Sequence, residues 1–336
     1  MTEEIDGARP TMADVARIAG VSPALVSIVM RGVPGASDET RKRITSIADD
    51  IGYVPDRRAQ KLRQTSSRLL GVTFDLQQPF HGDLVEHVYA AAGRHGYDVM
   101  LSAVAPTRDE GSAVQALVRE RCEAALLLGS GVDATELAGI DARVPAVTLL
   151  RASGVDGIGS VRSDDVAGIA SAVEHLADLG HTRIAHIDGG RSAGAEDRRR
   201  GFVDAIRRRG LESGARVVAG GVTETEGAEG MRILLADGEA PTAVVAFNDN
   251  SATGVLDHLV RRGIGVPGDI SVVGYDDSRL ARIAHIQLTS ISQDVVALAD
   301  AAVDSALARI AGEPVRDVVL APTLVRRHTT AGPRLG

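Results

Sequence analysis

Residues Thr11 to Gly32 read TMADVARIAGVSPALVSIVMRG, and the rest of the N-terminal head is read outward from them. Thr11 suits a helix N-cap, its hydroxyl able to accept from an unpaired amide of the first turn. Val15, Ile18 and Ala19 then fall on one helical face. Gly20 can take the left-handed conformation that ends a helix, and Val21 packs back into the bend. Ser22 caps again, and Pro23 stands at the first helical position, where its missing N–H does no harm. Leu25, Val26 and Val29 form the buried stripe of this second helix, and its other face carries Pro23, Ala24, Ser27, Ile28 and Arg31. Two helices joined so closely have the geometry of a helix-turn-helix, whose second helix fits the DNA major groove. An ordinary αα-hairpin is the alternative open to these residues alone.

Further along, Ser37 caps a third helix, with Asp38 and Glu39 in the first turn, where the helix dipole favours acids. Ile44, Ile47, Ala48 and Ile51 give it an apolar face, and Gly52 and Pro55 stop it. The next segment, Pro55 to Arg63 (PDRRAQKLR), is cationic and poor in apolar residues. It is too short to form a stable helix alone and is expected to order on a partner.

The head resembles that of the lactose-repressor (LacI/GalR) family of bacterial transcription regulators. The matching residues are DVARIAGVS at Asp14 to Ser22, Val26 and Ser27, SDETRKRI at Ser37 to Ile44, and IGYVPD at Ile51 to Asp56. RAQKLR at Arg58 to Arg63 is similar to the family's hinge helix, in which a leucine at the position of Leu62 wedges into the minor groove and kinks the duplex. The resemblance implies DNA contacts from Thr11, Ser22, Pro23, Ala24, Ser27, Ile28, Arg31 and Ser37, and from Arg58, Ala59, Lys61 and Leu62 in the hinge. Several relatives place a polar side chain at the position of Ile28. This helix has none there, so base reading through thymine methyl groups is expected of Pro23, Ala24 and Ile28.

Net charge is −8, with 37 basic and 45 acidic side chains, but it is unevenly spread. Residues 9–68 carry 11 Lys or Arg and 6 Asp or Glu, while the first eight carry three acids and no base. The remainder carries 26 basic and 36 acidic residues. Positive charge is therefore concentrated where phosphates would be met, as counterion release requires. A chain of 336 residues, 44% hydrophobic and 24% charged, suits a small head and a large globular body. No run of eighteen apolar residues indicates a membrane span, and the acidic start MTEEIDGARP lacks the apolar core of a signal peptide, so a cytoplasmic location is expected. The single cysteine, Cys122, allows no internal disulfide and reads as a buried structural thiol.

From Leu69 short apolar runs alternate with helical patterns. LLGVTF, YDVMLSA, AALLL, PAVTLL, RIAHI, ARVVAG, TAVVAF and DISVVGY read as strands. Helices are expected at His81 to His95, Glu110 to Arg121, Asp165 to Leu179, Arg198 to Arg209, Glu226 to Ala236 and Ser251 to Arg262. Such alternation implies parallel sheets with right-handed crossovers, and about 260 residues imply two lobes. The loop GSVRSDD near Ser160 and the segment LTSISQD near Ser292 are the expected crossings.

The resemblance continues to about Val325 through QPFHGDLVEHV, VRSDDVAG, HLADLGHTRIAHIDGG, RRRGFVDAI, AFNDNSATGVLDHL, GIGVPGDISVVGYDD and LTSISQD. It implies an α/β fold: an N-terminal helix-turn-helix head on residues 10–56, a hinge helix and linker on 57–68, and a two-lobed periplasmic-binding-protein-like body of parallel sheets on 69–330. A disordered tail at 1–9 and a C-terminal tail at 331–336 flank them. The family holds an effector in the cleft between the lobes, beyond the carboxyl ends of the strands. Its effector-contacting positions carry over to Arg198 and Asp276. Phe74, Phe80 and Phe247, at strand ends or cleft loops, suit stacking on a ring face or a place in the core, Asn248 suits sugar hydroxyls, and His81 stands beside them at the cleft mouth. Arg198 can clasp two hydroxyls or a carboxylate. Arg199 and Arg200 read as a solvated charge run. Asn248 is assigned to ligand and Asp249 to structure; Asp277 is expected to cap the next segment. His81 stands where relatives often have a second phenylalanine, which puts a polar group at the cleft mouth. Asp164 and Gln293 are weaker candidates that could only fix the crossings.

Nothing favours catalysis: GxSxG, P-loop and HExxH patterns are absent, and the spacing of His175, His181 and His186 follows helix, turn and strand. The expectation is a regulator with neither catalytic residues nor metal nor cofactor. Its partners are a double-stranded DNA operator, a sugar, polyol or nucleobase-like effector, and a second copy in a homodimer without a tetramerising tail.

Overall fold

The computed structural model describes residues 10–30, 32–53, 66–236 and 239–334. They fall into two units, one ending at Ser67 and the other running from Arg68.

The head is three helices, α1 (Met12–Ala19), α2 (Pro23–Met30) and α3 (Asp38–Asp50). Thr11 and Asp14 form a capping box at the start of α1, each side chain accepting from the other's amide. Gly20 ends α1 at φ +64°, a conformation that costs other residues roughly 1–2 kcal/mol. Val15, Ala16, Ala19, Val26, Val29, Ile44 and Ala48 make one buried cluster. Ile18 is not part of it: at 43% exposure it faces outward, and Ala16 takes the inner position. Arg41 of α3 donates to the carbonyls of Val29 at 3.3 Å and Val33 at 2.9 Å, tying down the end of α2.

The body contains two six-stranded sheets. Lobe 1 is built from β1 (Leu69–Asp75), α4 (Pro79–Arg94), β2 (Asp98–Val104), α5 (Glu110–Arg119), β3 (Ala124–Leu128), α6 (Ala134–Asp141), β4 (Ala146–Leu149) and β5 (Ser160–Ser163). The chain then enters lobe 2: α7 (Asp165–Asp178), β6 (Ile184–Ile187), α8 (Ala195–Arg209), β7 (Arg216–Val218), α9 (Glu224–Ala236), β8 (Ala243–Ala246), α10 (Asp249–Arg261), β9 (Ser271–Asp276) and β10 (Thr289–Ser292). It returns for α11 (Val295–Ile310) and β11 (Val318–Leu320), then crosses once more to β12 (Thr323–Val325). Sheet order is β2-β1-β3-β4-β5-β11 in lobe 1 and β7-β6-β8-β9-β10-β12 in lobe 2. Every neighbouring pair is parallel except β10 with β12. β3, β4, β6, β8 and β9 are buried along their whole length, as strands covered by helices on both faces must be.

Two stretches read as crossing segments are strands up to the crossing itself. SVRS forms β5 and TSIS forms β10, each ending where the chain changes lobe. The crossings are clasped together: Ser163 Oγ donates to Gln293 Oε1 at 2.7 Å, and the Asp164 amide donates to the Leu320 carbonyl at 2.9 Å. Cys122 is buried in the lobe 1 core just before β3.

Candidate functional site

The segments following β1, β3 and β4 in lobe 1, and β6, β8 and β9 in lobe 2, surround a cavity of about 130 Å³. In a doubly wound sheet of strand order 2-1-3-4-5, the crevice at the carboxyl ends where the order reverses is the natural ligand position. Lobe 1 lines it with Asp75, Gln78, Phe80, His81, Gly129 and Leu150. Lobe 2 contributes Ser192, Ala193, Arg198, Val222, Phe247, Asn248 and Asp276, and Gln293 stands at a crossing.

Arg198, in the first turn of α8, is 6% exposed. Its Nε donates to Asp165 Oδ1 at 2.9 Å and its Nη1 to the Phe247 carbonyl at 2.7 Å. Nη2 lies 3.8 Å from Asp276 Oδ1. The guanidinium lies over two rings, 3.6 Å from the centroid of Tyr275 and 4.6 Å from that of Phe247. Burial works against the cation, but Asp165, Tyr275 and Asp276 outweigh it and raise its pKa. The partner carboxyls are also raised: burial pushes up Asp165 and Asp276 against the pull of Arg198.

Asp276 ends β9 at φ +104°, and Leu150 and Gly129 follow their strands at +68° and +59°. For Asp and Leu such backbone costs roughly 1–3 kcal/mol and persists where the surroundings over-determine it, as at binding sites. Gln293 Nε2 fixes Asp276 by donating to Oδ1 at 2.8 Å. His81 is 7% exposed, and its Nδ1 accepts the Asp75 amide at 3.0 Å. Burial pushes its pKa down to about 4.

Of the expected effector positions, the structure brings Phe80, His81, Arg198, Phe247, Asn248 and Asp276 to this cavity. Phe74 is not among its lining residues; it packs against the lobe 1 core. Asn248 lines the cavity and also takes the helix-cap role that is the alternative for it. Asn248 is the N-cap of α10, its Oδ1 accepting from Ser251 N at 2.8 Å, while its Nδ2 reaches Gln78 Oε1 across the cleft at 3.3 Å. Asp249 lies behind, accepting from the Ser278 amide and hydroxyl and from Ser290 Oγ. Asp277 caps nothing; it accepts from Arg327 at 2.6 Å and Arg282 at 3.0 Å. Asp164 caps α7. Arg199 is not simply solvated, since it pairs with Asp188, whereas Arg200 pairs with Asp197 within its own helix.

Gln78, Leu150, Ser192, Ala193 and Val222 were missed. Their signal in the sequence is only that each lies close beyond a strand.

In the head, Thr11 and Ser37 are exposed N-caps, and Ser22 Oγ accepts from Leu25 N at 3.3 Å. Pro23 and Ala24 are exposed, and Ser27 and Ile28 are half-buried. Ile28 leans on the following loop: a Cβ at Gly35 would stand 3.2 Å from its Cγ2. Arg31, Arg58, Ala59, Lys61 and Leu62 lie outside the described residues, as does the tail at 1–9.

A wider surface groove of about 680 Å³ runs along α9 and α10. Its arginine Arg232 pairs with Glu229 one turn away. Among the described residues no cluster of three His, Cys, Asp or Glu could hold a metal ion, and no single helix is long and apolar enough to cross a membrane.

Residues 11–56 match the profile of bacterial regulatory proteins of the lacI family, and residues 173–330 that of the periplasmic binding protein-like domain. Over 331 residues the chain is 35% identical to the HTH-type transcriptional regulator GalR of Salmonella typhimurium, covering 96% of each chain. A LacI transcriptional regulator from a Rhodococcus species is 66% identical, with a TM-score of 0.78 over 79% of this chain and 98% of that one. The lac repressor dimer bound to operator and the anti-inducer ONPF is 30% identical, with a TM-score of 0.81 over 96% of this chain and 100% of that one.

Proposed function

Because the chain belongs to the LacI family of bacterial regulatory proteins, we propose that it represses transcription from a pseudo-palindromic operator as a homodimer. A small neutral polyol, sugar-like in its hydroxyls, occupies the cleft of the body and controls that binding. The head at 10–56 and the hinge at 57–68 hold the DNA, and the body at 69–330 holds effector and partner copy, in the cytoplasm. Full-length similarity to DNA-binding regulators supports the first half of this reading.

The observation that carries the second half is Arg198. It is buried, stacked between two rings, and has only Nε and one Nη1 proton committed to acceptors within 3 Å. The remaining N–H groups and the neighbouring carboxyl of Asp276 offer donor and acceptor side by side, which suits hydroxyls. An anion is disfavoured, because the buried guanidinium of Arg198 already has Asp165 as its ion-pair partner and Asp276 beside it. Phe80 and Phe247 give apolar faces for the carbon skeleton.

The test is a gel shift on DNA upstream of the protein's own coding region, with and without added sugars. A sugar should change retention of the full-length protein, and Arg198→Ala should bind DNA as before without responding. No retained DNA would remove the regulator reading. An unaltered response of Arg198→Ala would remove the cleft.

A further inference from the structure

The geometry points to His81 as a fixed, one-way hydrogen-bond donor, which makes the cleft select effectors that present an acceptor oxygen at that position. This rests on the effector reading above. His81 lies in the first turn of α4, on the cavity wall. Its Nδ1 accepts the Asp75 amide at 3.0 Å. A ring nitrogen that accepts carries no proton, so the proton of the neutral imidazole sits on Nε2. Burial, lowering the pKa to about 4, keeps the second proton off near neutral pH. The ring is therefore held in one tautomer by a backbone amide, a donor that cannot become an acceptor.

Nε2 lies at the narrow part of the cleft. A Cβ at Gly129 would stand 3.2 Å from Nε2, 3.1 Å from Cε1 and 3.9 Å from the Ala193 Cβ of lobe 2. A glycine there leaves the N–H edge uncovered beside the opposite lobe. Asp75, on the same wall, has Oδ1 engaged by the Gln77 amide at 2.8 Å, and its other oxygen can accept a hydrogen bond. A hydroxyl that accepts from His81 and donates to Asp75 satisfies both. An analogue lacking that hydroxyl leaves a buried N–H unpaired, and this is how a site rejects near-isosteres more strongly than by shape.

The experiment has two arms, both on the full-length protein. The first records long-range ¹H–¹⁵N correlations of histidine-labelled protein at pH 7, with His81→Gln assigning the resonance. Nε2 protonated and Nδ1 bare is the expected result, and a sizeable Nδ1–H or imidazolium population overturns the proposal. The second measures thermal shifts with D-glucose, D-galactose, D-mannose, D-xylose and D-ribose, then with the monodeoxy derivatives of each sugar that stabilises. His81→Phe should weaken the parent sugar roughly tenfold, about 1.4 kcal/mol, and leave one monodeoxy derivative unaffected. His81→Gln, which keeps a donor, should recover part of the loss and serves in its place if the Phe variant does not fold. Equal loss for parent and every derivative, or no loss, overturns the selective role. If the Nε2–H tautomer is found and none of the five sugars stabilises the protein, the donor assignment stands and the polyol reading fails.

Discussion

Lobe 1 and lobe 2 run their first five strands in the same order, yet they end those strands in different chemistry. Around the cavity lobe 1 places Phe80, His81, Gly129 and Leu150, neutral groups beside the single carboxylate of Asp75. Lobe 2 places a buried charge cluster there, with Arg198 clasped by Asp165 and Asp276 and with Asp249 behind. Every charge of that cluster is held by partners already present, so lobe 2 is pre-organised before any ligand arrives. Lobe 1 contributes apolar faces and one directed N–H. One topology can thus supply a rigid charged half and a neutral selective half, because strand order fixes only where the site lies.

The comparison is broken most readily at the ion pair. Asp165→Ala strands Arg198 in the interior and should cost about 3–5 kcal/mol of stability. His81→Ala in lobe 1 removes no charge partner and should cost roughly 1–3 kcal/mol. Urea unfolding of both variants checks this, and equal losses would mean that lobe 2 is not the more tightly held half.

Protonation should act on both lobes alike. Each has a buried neutral histidine, His81 in lobe 1 and His186 in β6 of lobe 2, and burial lowers each pKa to about 4. The unfolded chain binds these protons near pH 6.5 and the folded chain only near 4, so stability falls as pH drops through that window. The loss is on the order of 3 kcal/mol per histidine at its completion. His186→Phe should flatten the acid limb of a stability profile measured from pH 7 to pH 4. An unchanged slope would show that lobe 2 opens to solvent around His186.

The smallest effect is expected where the lobes touch at the surface. Arg279 of lobe 2 donates to Asp83 of α4, and its exposed guanidinium limits what the pair can contribute. Asp83→Asn should lower stability by less than about 1 kcal/mol. A larger loss by thermal melting would mean that the rim pair, rather than the cavity, holds the lobes together.

What the sequence made legible follows the range of the interactions involved. The caps at Thr11 and Ser37 and the turn at Gly20 depend on residues three or four apart, and they can be read from spacing. Buried strands such as AALLL announce themselves by composition. Ile18 fitted a helical face but faces outward, because packing against α3 chose Ala16, and periodicity does not say which of two neighbouring positions wins. SVRS and TSIS look polar because their serines bond side chains of neighbouring segments: Ser163 donates to Gln293 at the crossing, Ser160 to Asp317 and Ser290 to Asp249. Gln78, Leu150 and Ala193 reach the cavity only through closure of one lobe on the other, which no local pattern records. Phe74 shows the converse: a strand-end aromatic that turns into its own lobe.

Matched pairs of ligands test the account most directly. Each of the five neutral sugars and its terminal phosphate would be titrated into the full-length protein by calorimetry. The charge balance around Arg198 predicts that at least one neutral sugar binds and that its phosphate binds at least tenfold more weakly. A phosphate that binds as tightly as its sugar, or more tightly, would contradict a cleft whose buried Arg198 is already paired with Asp165 and flanked by Asp276.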